Sequence, residues 1–258
     1  MLRIIESEKI IDESNFFIYL NKSNRLVPVT NNFDFEIDNL KEILEQKEIV
    51  LKNSISFIKN RPSSNILLWG AKGMGKSSLV KSVVSSLNKK NLTKIKLLEV
   101  LNNDISSLAE IVYELSQLKS KFIIFVDDIS FQKNENDFRL FKSLVEGSLL
   151  SHVENVRYYV TSNLRHLSHK GSNIDLNDIE EKEVSQNLLS LSDRFGCWVG
   201  FFDSNQEQYL NIVKFYFKKL SLKYSDSNEK LALRWSLEKG SFSGRTAYQF
   251  ANRMKMKD

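Results

Sequence analysis

Residues Ile66-Leu67-Leu68-Trp69-Gly70-Ala71-Lys72-Gly73-Met74-Gly75-Lys76-Ser77 set a short apolar run directly ahead of two glycines with four residues between them, then Lys and Ser. That spacing is the template of a phosphate-binding loop, which needs a strand before it and a helix after it. Both are predicted. Ile66 to Trp69 has the composition of a buried strand, and Ser78 to Lys89 reads as a helix. Small residues let the backbone amides of Gly70, Ala71, Lys72, Gly73, Met74, Gly75, Lys76, Ser77 and Ser78 turn inward toward phosphate oxygens, at the positive end of the following helix. Lys76 supplies charge for the β- and γ-phosphates, and the Ser77 hydroxyl is placed to ligate Mg²⁺. A dinucleotide loop would carry a third glycine near Ser78 and has no use for Lys76-Ser77. The expected ligand is therefore a nucleoside triphosphate, with Mg²⁺.

Working outward, strands alternate with helices. Ile95 to Val100, Phe122 to Val126, Val156 to Thr161 and Cys197 to Phe202 are predicted strands. Phe35 to Lys59, Asn102 to Leu118, Phe138 to Leu150 and a segment ending near Leu191 after a polar loop at His166–Asn177 are predicted helices. Alternation of this kind implies crossover units and a parallel sheet sandwiched by helices, an α/β fold. After Asp203 only helical periodicity remains, over Gln206–Leu220, Asn228–Lys239 and Ser243–Met256. The expected division is an N-terminal extension (1–34) packed on the main body, an α/β nucleotide-binding subdomain (35–202) and an all-helical lid (203–258). The aromatic stripe Tyr209, Ile212, Val213, Tyr216, Leu220 is read as lid core in preference to a base-stacking surface.

Phe122-Ile123-Ile124-Phe125-Val126 is apolar throughout and ends in Asp127-Asp128. A carboxylate at the end of a buried strand is what a phosphate loop needs to hold Mg²⁺. Asp127 is assigned to the metal, together with Ser77, and Asp128 to orienting and deprotonating the attacking water.

Composition adds limits. The chain has 258 residues, with 37 Lys and Arg against 32 Asp and Glu, a net charge of +5 and a pI near 9.0. That is a weak pointer to nucleic acid, set against scattered lysines on an ordinary surface. Cys197 is the single cysteine, which excludes an intramolecular disulfide and suits a reducing compartment. The first residues lack the continuous apolar segment of a signal peptide, and no run is long enough for a membrane helix, so a cytoplasmic protein with no membrane partner is expected. His152, His166, His169 and Cys197 do not make up a zinc set, and Gly240-Ser241-Phe242-Ser243-Gly244 has Phe where a nucleophile elbow needs Ser.

The order of the phosphate loop, Phe122–Asp128, a strand ending in Asn163, Asp193-Arg194-Phe195-Gly196 and a helical tail with Gly244-Arg245 resembles the AAA+ ATPase superfamily from about Phe35 to the C-terminus. More narrowly, Asp127-Asp128-Ile129-Ser130-Phe131, Thr161-Ser162-Asn163 with Arg165-His166-Leu167, Leu191–Gly196 and Gly240–Phe250 resemble the bacterial domain-of-unknown-function 815 family of predicted ATP-binding proteins. The resemblance implies three further roles. Asn163 corresponds to sensor 1, which helps place the water. Arg194 corresponds to the arginine finger, reaching a neighbouring subunit's γ-phosphate, with a surface salt bridge as the alternative. Arg245 corresponds to sensor 2 on the lid. It also implies self-association, a ring-like oligomer, and action on a protein partner that remains to be identified. Two departures are visible. Asp128 is a methylene shorter than the Glu of many motors, which points toward a slower switch or loader on DNA. Leu101-Asn102-Asn103-Asp104 replaces the aromatic–glycine loop of threading unfoldases. Remodelling ATPase, DNA-acting switch and non-hydrolysing scaffold all stay open at this level.

Overall fold

The computed structural model describes residues 8–30, 35–89, 95–129, 135–163 and 193–256. Its centre is the strand that feeds the phosphate loop, β3 (Ile66–Gly70). Around it stand β4 (Ile95–Glu99), β5 (Lys121–Val126), β6 (Val156–Thr161) and β7 (Cys197–Phe201), all parallel. The strands are short and mostly apolar, and β3 to β6 are buried on both sides, as a doubly covered parallel sheet requires. In β5 the alternation sorts side chains between layers. Phe122 and Ile124 enter one core with Leu67, while Ile123 and Phe125 enter the other with Ile66 and Leu68.

The first layer is closed by α4 (Leu108–Ser116) and α5 (Glu135–Val145), through Leu108, Ile111, Leu115, Phe141 and Leu144. The second is closed by α2 (Leu44–Ile58) and α3 (Lys76–Lys89), through Val50, Phe57, Leu79, Val80 and Val83. A short α1 (Glu8–Glu13) adds Ile11 to the first layer.

The apolar cluster near the N-terminus corrects one expectation. Phe16–Leu20 is a strand, β1, and Arg25–Pro28 pairs with it as β2. β1 runs parallel to β4, so the sheet has seven strands in the order β2-β1-β4-β5-β6-β3-β7. This hairpin is part of the sheet and not an extension packed on it. The reason is edge satisfaction: β4 needs a partner for its outer backbone groups, and β1 supplies it. Lys96, fully buried on β4, donates through Nζ to the carbonyl of Ser14 (2.5 Å), tying the same two segments together.

Three helix boundaries also move. Residues 37–39 form a 3-10 turn and Glu42 adopts φ +60°, so α2 begins only at Leu44 and leaves Leu40 and Ile43 beside the phosphate loop. Asn102–Ser107 is 3-10 before α4, and α5 stops at Val145 ahead of Gly147. The segment expected as loop and helix between His166 and Leu191 lies outside the described residues.

The tail folds as three helices, α6 (Gln206–Lys219), α7 (Asp226–Lys239) and α8 (Gly244–Lys255). Asn205 and Gln208 form a reciprocal capping box at the start of α6, and Gly240 at φ +61° ends α7. Tyr209, Val213, Phe217, Ala232, Ala247 and Phe250 make a core of their own. Among the described residues no helix is long and apolar enough to cross a membrane.

Candidate nucleotide-binding site

Strand order reverses at β3, which lies between β6 and β7, and ligands of such sheets sit beyond the strand C-termini at that point. A cavity of about 530 Å³ is found there, between the phosphate loop and the helical tail. Lys72, Gly73, Met74, Gly75, Lys76, Ser77 and Ser78 form its floor. The predicted Gly70 and Ala71 lie behind that wall as the foundation of the loop. Gly70 has φ +114°, and a Cβ there would sit 2.1 Å from the Phe201 carbonyl oxygen, so no other residue fits. The Ala71 amide donates to that same oxygen at 2.8 Å.

Lys76 is buried, and its ammonium donates to the carbonyls of Gly70 and Ala71, both at 2.7 Å. Burial lowers its pKa to about 8, although Asp128 and Asp127 pull the other way. α3 and α8 both point their N-termini at the cavity, adding two positive dipole ends.

Asp127 and Asp128 leave β5 with different partners. Asp127 Oδ1 accepts from Ser77 Oγ at 2.5 Å and from Thr161 Oγ1 at 2.6 Å. The Thr161 hydroxyl in turn accepts the Asp128 amide at 2.7 Å. Asp128 holds φ +52° and receives the Asn163 side-chain amide on its own carboxylate. Ser77, Asp127, Asp128 and Asn163 are thus brought together, with Thr161, a residue of the Thr161-Ser162-Asn163 motif to which the sequence assigns no role of its own.

Asn102 was missed as well. Its side-chain amide donates to the carbonyls of Asp127 (3.2 Å) and Asp128 (2.9 Å). Behind it, buried Asp104 accepts from Asn21 of the N-terminal hairpin at 2.9 Å. The position that holds an aromatic–glycine loop in threading unfoldases therefore holds a polar brace here. No local pattern announces it, because the contacts join residues 25 and 83 positions apart.

From the helical tail, Arg245 lines the cavity, and its backbone amide donates to the Gly73 carbonyl at 3.1 Å. The aromatic stripe is lid core, with Tyr209, Ile212 and Val213 buried and Tyr216 and Leu220 packed against them; Ile212 and Tyr216 also border the cavity, with Tyr248. Tyr216 and Tyr248 meet edge to face at 5.2 Å, and burial raises the Tyr216 pKa. Opposite them stand Leu40 and Ile43, giving the cavity an apolar end beside a charged one.

Arg194 is not in this cavity. It lies near the C-terminus of α5, donating to the carbonyls of Glu146 and Lys142, with its Nε 3.9 Å from a Glu146 carboxylate oxygen. The ion-pair partner is Glu146 and not the adjacent Asp193. It borders a second cavity at the N-terminal ends of β3, β6 and β7, beside Ser63, Ser64 and Gly196.

Residues 12–258 match the family described as "Protein of unknown function (DUF815)". The chain belongs to this family. The match includes the β1–β2 hairpin, which the resemblance read from the sequence had left out. The chain is also 27% identical over 205 residues to the Holliday junction branch migration complex subunit RuvB of Mycoplasmopsis pulmonis, covering 77% of this chain and 60% of that protein. Among solved structures it is similar to the Thermotoga maritima RuvB Holliday junction branch migration motor, with a TM-score of 0.55 and 16% identity over 85% of this chain and 64% of that one. Aeropyrum pernix ORC1 in complex with DNA gives a TM-score of 0.59 at 16% identity, over 81% and 58%. The DUF815 chain spans less than two thirds of the length of each of these relatives. Its fold is the P-loop AAA+ type, a mostly parallel sheet between helices, with β2 antiparallel at one edge, followed by a helical lid.

Proposed function

We propose that this chain is an ATPase that binds ATP with Mg²⁺ between the phosphate loop and the lid and hydrolyses it at a contact between two copies. The observation that carries the reading is the pairing of acids at the cavity floor: Asp127 with Ser77 and Thr161, Asp128 with Asn163. Oxygen-only donors at Ser77 and Asp127 suit a hard divalent cation, so these two would hold Mg²⁺. When bound, Mg²⁺ neutralises charge on the β- and γ-phosphates.

The remaining chemistry belongs to the chain. Amides of Lys72 to Ser78 and the two helix N-termini bind the phosphates. Lys76 exchanges its loop carbonyls for phosphate oxygens and carries its proton into that contact. Asp128, oriented by Asn163, takes the proton of the attacking water. The base and ribose pack on the apolar end, between Leu40–Ile43 and Tyr216–Tyr248. Arg245 couples lid position to the phosphates. Arg194, too far from its own chain's site, serves the site of a neighbouring copy in a ring-like oligomer, where its charge offsets that developing on the γ-phosphate. Closure and release of the lid against the sheet would then remodel a partner.

A DNA-acting switch or loader is the second reading, and it draws support from two similar structures, one a Holliday junction branch migration motor and one in complex with DNA. Steady-state ATP hydrolysis across protein concentration tests the primary reading. Specific activity should rise with concentration in the wild type and stay flat and low in Arg194→Ala. Tight ATP binding without turnover at any concentration would favour a non-hydrolysing scaffold instead.

A further inference from the structure

The net charge of this protein is not spread over it. Residues 203–258 hold 11 Lys and Arg against six Asp and Glu, while the other 202 residues are balanced at 26 of each. The full excess of +5 therefore belongs to the lid. From this and the lid's outer surface we infer that the groove between α7 and α8 binds the sugar–phosphate backbone of a nucleic-acid strand.

The groove has a volume of about 250 Å³ and is lined by Leu231, Arg234, Trp235 and Glu238 of α7 and by Phe250, Arg253 and Met254 of α8. Trp235 organises it. Its indole N–H donates to the Thr246 carbonyl at 3.2 Å, which fixes the ring. The Lys239 ammonium and the Arg253 guanidinium then lie 4.7 and 4.9 Å from the ring centroid. A cation held by an aromatic face keeps its N–H donors available at the periphery, and a guanidinium there matches a phosphate's paired oxygens. Arg234 is paired at 3.2 Å with Glu238, the one acid among the lining residues, which leaves Lys239 and Arg253 as the phosphate donors. Among the described residues neither of these two forms an ion pair. Beneath them, Leu231, Phe250 and Met254 offer an apolar floor, and Leu231 is 47% exposed. Cations over an apolar and aromatic floor suit a chain with phosphates on one side and sugar and base faces on the other.

Position gives the groove its use. α8 carries Gly244, Arg245 and Tyr248 on the face that lines the nucleotide cavity and Phe250, Arg253 and Met254 on the face that lines the groove. One rigid helix thus serves both, and any movement of its N-terminus against Gly73 moves Arg253 with it. The nucleotide dependence of strand binding rests on the proposed ATP site; the groove itself does not. If the two are coupled, the coupling is reciprocal.

The test is fluorescence anisotropy of fluorescein-labelled single-stranded and duplex oligonucleotides with the full chain across a salt series, with and without a slowly hydrolysed ATP analogue. Log affinity should fall linearly with log salt. Lys239→Ala with Arg253→Ala should make that slope shallower by about 1.5, the loss of two phosphate contacts, and weaken binding roughly tenfold or more at low salt. Arg253→Lys, which keeps the charge, should retain the slope, and so should Lys52→Ala on the balanced part of the chain. Thermal melts check that each variant folds. Equal slopes for the wild type and the folded double variant would overturn the inference, as would binding to phosphatidylserine vesicles without binding to either oligonucleotide. A fluorescent ATP analogue separates the two readings. If it binds while no oligonucleotide does, the groove fails alone; if oligonucleotides bind through Arg253 and the analogue does not, the groove stands and the ATP site fails.

Discussion

The side chain of Asn102 reaches from the end of β4 to donate to the carbonyls of Asp127 and Asp128, and Asp128 is the residue there with φ +52°. A left-handed aspartate is strained and persists only where its surroundings hold it. Asn102 grips the backbone from behind while Asn163 grips the carboxylate in front.

The Asn102 clamp predicts a specific kinetic defect. Asn102→Ala frees both carbonyls and should lower kcat about tenfold or more while leaving the KM for ATP close to wild type, because the phosphate loop is untouched. Asn102→Asp, which sets an acceptor against two acceptors, should be worse. A rise in KM with unchanged kcat in either variant would remove Asn102 from the chemistry.

Lys76 gives the pH dependence. Its pKa in the ATP-free protein is lowered to about 8 by burial, so it loses its charge as pH rises through 8, where an exposed lysine would not. ATP selects the charged form. Affinity for ATP should therefore hold below pH 8 and fall progressively above it, with proton uptake on binding in that range. Lys76→Ala should abolish binding, and Lys76→Arg should flatten the profile. Isothermal titration in buffers of different ionisation enthalpy measures the proton uptake directly. Folding stability runs the other way: with the native pKa below the unfolded value, the stability contribution of Lys76 improves between about pH 8 and 10.5.

Gly73 predicts how the lid is seated. A Cβ at Gly73, which has φ +77°, would lie 2.7 Å from Ser243 Oγ and 3.1 Å from Arg245 Cβ. Gly73→Ala should push the start of α8 off the loop, break the Arg245 amide contact and weaken ATP binding at least tenfold. Limited proteolysis should then cut faster between β7 and α6, with the lid core itself intact.

Arg194 has two roles to separate. As a cation at the C-terminus of α5 it stabilises that end by roughly 0.3–1 kcal/mol, so Arg194→Ala should lower the melting temperature slightly. As a residue serving the neighbouring copy it should also lower kcat by about 10³-fold. Mixing Arg194→Ala with Lys76→Ala chains decides between them. Partial recovery of turnover means that one site draws on two chains; no recovery, with only the small shift in melting, leaves the helix-end role alone.

The lid is legible as helices and its aromatic stripe as core, but that Tyr216 also lines the cavity is not legible. Periodicity reports which residues share a helix face, and Tyr209 and Tyr216 share one. It does not report that the neighbouring helices bury the first completely and leave one side of the second on the nucleotide cavity.

What the sequence determined on its own is local chemistry. The glycine loop, the buried strand ending in Asp127-Asp128 and the alternation of strands and helices are short-range patterns, each tied by backbone geometry to one structure. Tertiary structure alone decided the rest. It placed the β1–β2 hairpin in the sheet, made Asn102 and Thr161 partners of the acids, kept Arg194 out of its own cavity and turned Arg253 outward beside Trp235. Each of these joins residues far apart in the chain, where spacing carries no information and hydrogen-bond satisfaction, burial and charge choose the partner.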